Sequence, residues 1–196
     1  MHHYLTKLGV PHLVQDFFEP YYTTDETGNL VFWYGDEAEH FGFAFHRVPS
    51  TGLWLAGNPN TAMIRQVFYC DSAMEAISYL SLNYFAYPYF DRLLFLVGET
   101  AFGCPQQKSW SLVFSKDILG RIRDLKVAAA IRRLPVSVNL AGETVHIRFR
   151  QENYILPQNQ FSLGAFEKIS GYRFNVKTHK AKNADSWLDQ LETSAF

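Results

Sequence analysis

At 196 residues and 22.6 kDa, with 47% hydrophobic and 16% aromatic residues, the chain suits one medium domain or one domain with a small accessory layer, and a disordered chain is excluded. Eighteen Lys and Arg against 19 Asp and Glu give a formal net charge of -1, which excludes the global basic field of a protein that coats nucleic acid; any such contact must come from a local patch. Cys70 and Cys104 match no zinc-ligand or disulfide spacing, and neither a leader pattern nor a long apolar run is visible, so the expectation is a cytoplasmic protein with reduced, packed thiols and no membrane contact.

Tyr4 to Phe18 read as two short helical pieces broken at Gly9-Val10-Pro11 and forming a small lid or entry element. From Asn29 the pattern changes to short apolar runs separated by Gly and polar turns: 30–34, 41–45 and 53–55. This is the signature of an antiparallel meander, so residues 1–64 are expected to form a small α+β subdomain.

Residues 65–196 are expected to form an α/β domain with a C-terminal extension. Val67-Phe68-Tyr69-Cys70 suits a strand buried on both faces, and a helix follows in which Ala73, Ala76, Ile77 and Leu80 share one side. Leu93 to Val97 and Ser111 to Phe114 repeat the buried-strand pattern. The second feeds a long helix from Ile118 to Leu134, with Ile122, Leu125 and Ala129 inward, stopped by Pro135. Beyond it, Val136–Leu140 and Thr144–Phe149 read as a hairpin, Leu163–Ile169 as a helix, Arg173–Val176 as a strand and Ala184–Leu191 as a last helix. Strands alternating with helices imply a parallel or mixed sheet covered by helices.

The segment Cys70-Asp71-Ser72-Ala73-Met74-Glu75-Ala76-Ile77-Ser78 resembles the first motif of Toprim domains, where a glutamate ends a strand and a helix follows. The resemblance is nearest to the Toprim-like proteins of bacterial conjugative and mobilisable elements, in which the stretch reads Cys-Glu-Ser-Ala-Ile-Asp-Ala-Leu-Ser. Asp71 stands in place of that glutamate and Glu75 in place of the helix aspartate. The second Toprim motif is Asp-x-Asp with a glycine three residues later. Ser115-Lys116-Asp117-Ile118-Leu119-Gly120 takes its place, with Ser115 replacing the first acid. The runs Val31 to Tyr34, Gly42 to Arg47 and Gly52 to Gly57 are similar to the small β-rich segment ahead of Toprim in bacterial primases, and Asn183 to Leu191 loosely matches a terminal Asp-Trp-Asn helix of the mobile-element relatives, out of register.

The resemblance implies a Toprim-like, mostly parallel sheet flanked by helices and preceded by a primase-type subdomain. It further implies a site at the strand ends, with Asp71 in the catalytic position and Asp71, Asp117 and Glu75 available to Mg²⁺. The losses at Ser115 and Asp71 make this site degenerate.

Bland readings stand beside these. Asp71 could serve as a helix-start residue or neutralise a strand-end charge, Asp117 could be an N-cap, Glu75 an exposed helix carboxylate, and Gly120 a packing glycine. Arg121, Arg123 and Lys126 are either a nucleic-acid patch or a solvated helix face. Tyr84, Phe85, Tyr87, Tyr89 and Phe90 are either base-stacking or core residues.

The function expected is a mobile-element accessory protein with a non-catalytic Toprim-like domain that binds DNA or RNA, or a mobilisation or replication partner. The alternatives are a Mg-dependent primase-like or nuclease-like phosphoryl-transfer enzyme and a purely structural interaction module.

Overall fold

The computed structural model describes residues 1–43, 45–58, 60, 62–98 and 109–194, which leaves Cys104 outside the described residues. Two short helices, α1 (His3–Lys7) and α2 (His12–Phe18), open the chain. Their apolar spacing buries Leu5, Val14 and Phe18 completely, so the segment expected as a lid or entry element packs into the core. A four-stranded antiparallel sheet follows, ordered β1 (Thr23–Thr24), β2 (Leu30–Trp33), β3 (Ala38–Gly42) and β4 (Phe45–Arg47). The run 41–45 was expected as one strand, but β3 ends at Gly42 and β4 begins at Phe45, paired with Gly42.

β5 (Leu53–Gly57), expected in that meander, leaves it and pairs antiparallel with β7 (Leu93–Gly98) in a second sheet. That sheet is completed by β6 (Gln66–Cys70), β8 (Ser109–Val113) and β12 (Lys177–Thr178), in the order β12-β8-β6-β7-β5. All its neighbours except β5 and β7 run parallel. The chain is thus a mixed α/β protein with a largely parallel central sheet, and β6 and β8 are adjacent parallel strands, as the two buried runs imply, with Cys70 beside Val113.

Strand alternation divides the core in two. Phe68, Cys70, Phe95 and Val97 face α3 (Ala73–Asn83), α2 and the last helix, α6 (Trp187–Ser194). Val67, Tyr69, Leu94, Leu96 and Leu112 face α4 (Ile118–Ile131), α5 (Leu163–Ser170) and a three-stranded antiparallel sheet. That third sheet comprises β9 (Val136–Ala141), β10 (Thr144–Phe149) and β11 (Glu152–Pro157), with β10 in the middle. The expected hairpin is its first half; β11 was not expected.

Two more boundaries differ. The stretch 173–176 is not a strand: Phe174 inserts fully into the second core, and pairing begins at Lys177. α4 ends three residues early, at Ile131, where Arg133 turns to a φ of 56° ahead of Pro135.

Candidate functional site

The C-terminal ends of β6 and β8 lie side by side, so the residues that follow them, Asp71 and Ser115, meet. The Ser115 backbone N–H donates to Asp71 Oδ2 at 2.9 Å, and the Ser115 hydroxyl donates to Asp117 Oδ1 at 2.9 Å. Asp117 is the N-cap of α4, and the same oxygen accepts the Gly120 N–H at 2.7 Å. The turn is so tight that a Cβ on Gly120 would sit 2.1 Å from the Ser115 carbonyl oxygen, so this glycine is fixed by packing of the helix start against the strand end. Asp71, Ser115 and Asp117 therefore form one connected chain of hydrogen bonds.

Two cations of the protein's own reach the same strand ends. Arg123, from the second turn of α4, places Nη1 2.6 Å from Asp71 Oδ1. Lys180 places Nζ 2.7 Å from Asp124 Oδ2 and donates also to the carbonyls of Phe114 and Ser115. Asp124 is almost wholly buried, and its other oxygen, Oδ1, has no hydrogen-bond partner. Burial pushes its carboxyl up to about 7, against the pull of Lys180.

Glu75 is buried rather than exposed. Its Oε2 accepts the Trp187 N–H at 2.9 Å and its Oε1 the Leu188 N–H at 3.2 Å, so it closes the N-terminus of α6. Burial raises its carboxyl to about 6, with those two amides opposing.

Glu39 was not singled out in the sequence, yet it is fully buried beside the first motif. Its oxygens accept the Tyr34 hydroxyl at 2.5 Å and the N–H groups of Ala73 and Met74 at 2.8 and 3.1 Å, and His46 Nε2 lies 2.8 Å away. One side chain of β3 thus supplies the acceptors for two amides at the start of α3 and joins the first sheet to the central one. A carboxylate on a short strand normally reads as solvent-facing, so only the inward alternation of Glu39 and Phe41 hinted at this.

Hard cations take oxygen ligands, and each of the three candidate acids is already engaged by groups of the chain. Here Asp71 is held by Arg123 and an amide, Asp117 by Ser115 and a helix start, and Glu75 by another helix start. Among the described residues, no group of three or more His, Cys, Asp or Glu is placed to hold a metal.

Two of the three helix cations are also engaged. Arg121 Nε and Nη1 donate to the carbonyls of Lys116 and Phe161, Arg123 holds Asp71, and Lys126 is exposed. Next to Asp117 opens a cleft of about 500 Å³ lined by Lys116, Arg121, Glu143 and Gln158.

The aromatic segment splits. Phe85 and Tyr89 are 85% and 57% exposed, whereas Tyr84, Tyr87 and Phe90 pack against the first core.

A basic signal was present in the sequence but hidden by the total. Thirteen of the 18 Lys and Arg fall between 116 and 182, against five acids there, while residues 1–115 carry five against eleven. Among the described residues, no helix is long and apolar enough to cross a membrane. No family model matches the chain, and neither a curated protein nor a solved structure matches it.

Proposed function

We propose that this chain is an accessory protein of a bacterial mobile element whose Toprim-like domain has lost metal-dependent chemistry and kept a role in binding nucleic acid. The observation that carries this reading is the 2.6 Å pair between Arg123 and Asp71. In phosphoryl transfer a bound divalent ion neutralises charge and positions the phosphate. At these strand ends the positive charge comes from the chain itself, and Ser115 ties the strand ends together through hydrogen bonds where the second-motif acid of a working Toprim would stand.

Support for nucleic acid as the ligand comes from charge segregation. A segment that concentrates Lys and Arg, 116–182, presents a polyanion with a local field that the net charge of -1 conceals. The order of the two motifs, each at a parallel strand followed by a helix, supports the Toprim-like reading of the fold.

The test is binding of labelled DNA and RNA oligonucleotides in EDTA and in Mg²⁺, with the products examined for cleavage or primer synthesis. Equal affinity in both buffers and unchanged oligonucleotides are expected. Turnover that needs Mg²⁺ would replace this reading with the phosphoryl-transfer enzyme, and no binding at low salt would leave the structural interaction module.

A further inference from the structure

We infer that the outer face of the β9-β10-β11 sheet, centred on a groove containing Arg148 and Arg150, is where this chain takes the phosphodiester backbone of a nucleic acid. The inference rests on the nucleic-acid reading above and adds the place of contact, which lies on a different sheet from the strand-end site.

Alternation along β10 turns Val145, Ile147 and Phe149 into the second core and leaves His146 and Arg148 in solvent. The ladder aligns Ser137, Arg148 and Asn153 in one row across the three strands, and Asn139, His146 and Ile155 in the next. Neither row contains a carboxylate. The sheet has already buried its apolar side, so the rows have no folding role to fill.

A groove of about 410 Å³ runs where β9 begins and the β10–β11 turn closes. Its lining includes Pro135, Ser137, Arg148, Arg150 and Gln151, again without an acid. Arg150 stacks over the Tyr172 ring at 4.7 Å, which holds its guanidinium in one orientation while the residue stays exposed. Arg148 is exposed on the same groove, and no carboxylate pairs with either among the described residues. This differs from Arg121, Arg123 and Arg132, whose guanidiniums are spent on carbonyls and a carboxylate of the fold.

Two exposed guanidiniums, one of them held over Tyr172, beside a serine hydroxyl and a glutamine amide form a donor-rich surface with no carboxylate. Its complement is a row of phosphate oxygens, which accept charge-assisted hydrogen bonds from arginine. Phosphate contacts of this kind carry affinity and no base specificity, so single-stranded and duplex nucleic acid are separate arms of the test.

The experiment is fluorescence anisotropy of labelled single-stranded and duplex oligonucleotides over a salt series. It compares the natural chain with Arg148→Ala/Arg150→Ala and with Ser137→Glu. The serine variant adds a carboxylate to the groove without removing a folding contact, and far-UV circular dichroism and thermal midpoints check that each variant folds. A phosphate contact contributes about 0.7–0.9 to the slope of log affinity against log salt. The double variant should therefore lose on the order of one to two from that slope. Ser137→Glu should weaken binding roughly tenfold at low salt, with the loss shrinking as salt screens the added charge.

Binding by the natural chain with the same slope in folded variants would overturn this surface and leave the nucleic-acid reading intact. Absence of binding by the natural chain at low salt would overturn both. If the double variant fails to fold, Ser137→Glu decides alone: unchanged affinity rejects the groove.

Discussion

The Asp71 carboxylate accepts the backbone N–H of Ser115 at 2.9 Å, so the residue after β6 fastens the residue after β8. Its second oxygen holds Arg123 at 2.6 Å. One side chain therefore ties two strand ends and a helix, and its loss would leave an amide and a guanidinium without their acceptor. Asp71→Ala should destabilise the chain by about 1–3 kcal/mol, the cost of an unmet partly buried polar group. Asp71→Asn, which keeps an acceptor for Ser115, should cost less. Urea unfolding of both variants checks the order.

Glu39 should be the most sensitive acid in the chain. Glu39→Ala removes the acceptor of two helix N–H groups and of the Tyr34 hydroxyl in a fully buried place, with an expected loss of about 3–5 kcal/mol. Glu39→Gln retains a carbonyl oxygen and should fall well short of that. Equal losses in denaturant melts would mean that side-chain volume, rather than hydrogen bonding, is what matters there.

Gly120→Ala brings a methyl group against Ser115, whose carbonyl oxygen would lie 2.1 Å away. Backbone must shift to relieve this, at a cost of about 1–3 kcal/mol despite alanine's better helix propensity. A stabilised Gly120→Ala variant would show that the turn between β8 and α4 is looser than described.

Asp124 and Glu75 set the pH response. Both carboxyls are raised by burial, Asp124 from 3.8 to about 7 and Glu75 from 4.5 to about 6. A folded-state value above the unfolded one means that the native chain binds the proton more tightly. Their contribution is then complete below about pH 4 and is lost as pH rises, through about 6 for Glu75 and about 7 for Asp124. Between pH 5 and 8 the natural chain should lose stability, and Asp124→Asn should remove most of the loss above pH 6. Unfolding free energies at intervals across that range provide the check; parallel curves for the two proteins would contradict the placement of Asp124.

Local pattern made the buried strands β6, β7 and β8 and the helices after β6 and β8 legible in the sequence, because an apolar run and a capped amphipathic helix are signals within a few residues. β5 was misassigned to the first sheet because its pattern fits either sheet, and its partner β7 lies some forty residues away. β11 was missed because Glu152 to Pro157 buries Leu156 and half-buries Tyr154, while Ile155 faces solvent, a weak alternation.

At the strand ends, Asp71, Ser115 and Asp117 stand out in the sequence because each follows a buried strand and precedes a helix. Their partners do not, since Arg123 lies 52 residues from Asp71 and Lys180 lies 65 from Ser115. Only tertiary structure shows that Asp71 already has its cation.

The most direct measurement is the thermal midpoint of the natural chain and of Arg123→Ala, each with and without millimolar Mg²⁺ and with Ca²⁺ as a size control. A ligand that binds only the folded state must raise its stability. The expected result is a natural chain whose midpoint Mg²⁺ leaves unmoved, and an Arg123→Ala variant that is less stable in EDTA and gains from a divalent ion once Asp71 has lost its guanidinium. A natural chain that gains from Mg²⁺ as much as the variant does would contradict the proposal that Arg123 supplies the positive charge at these strand ends.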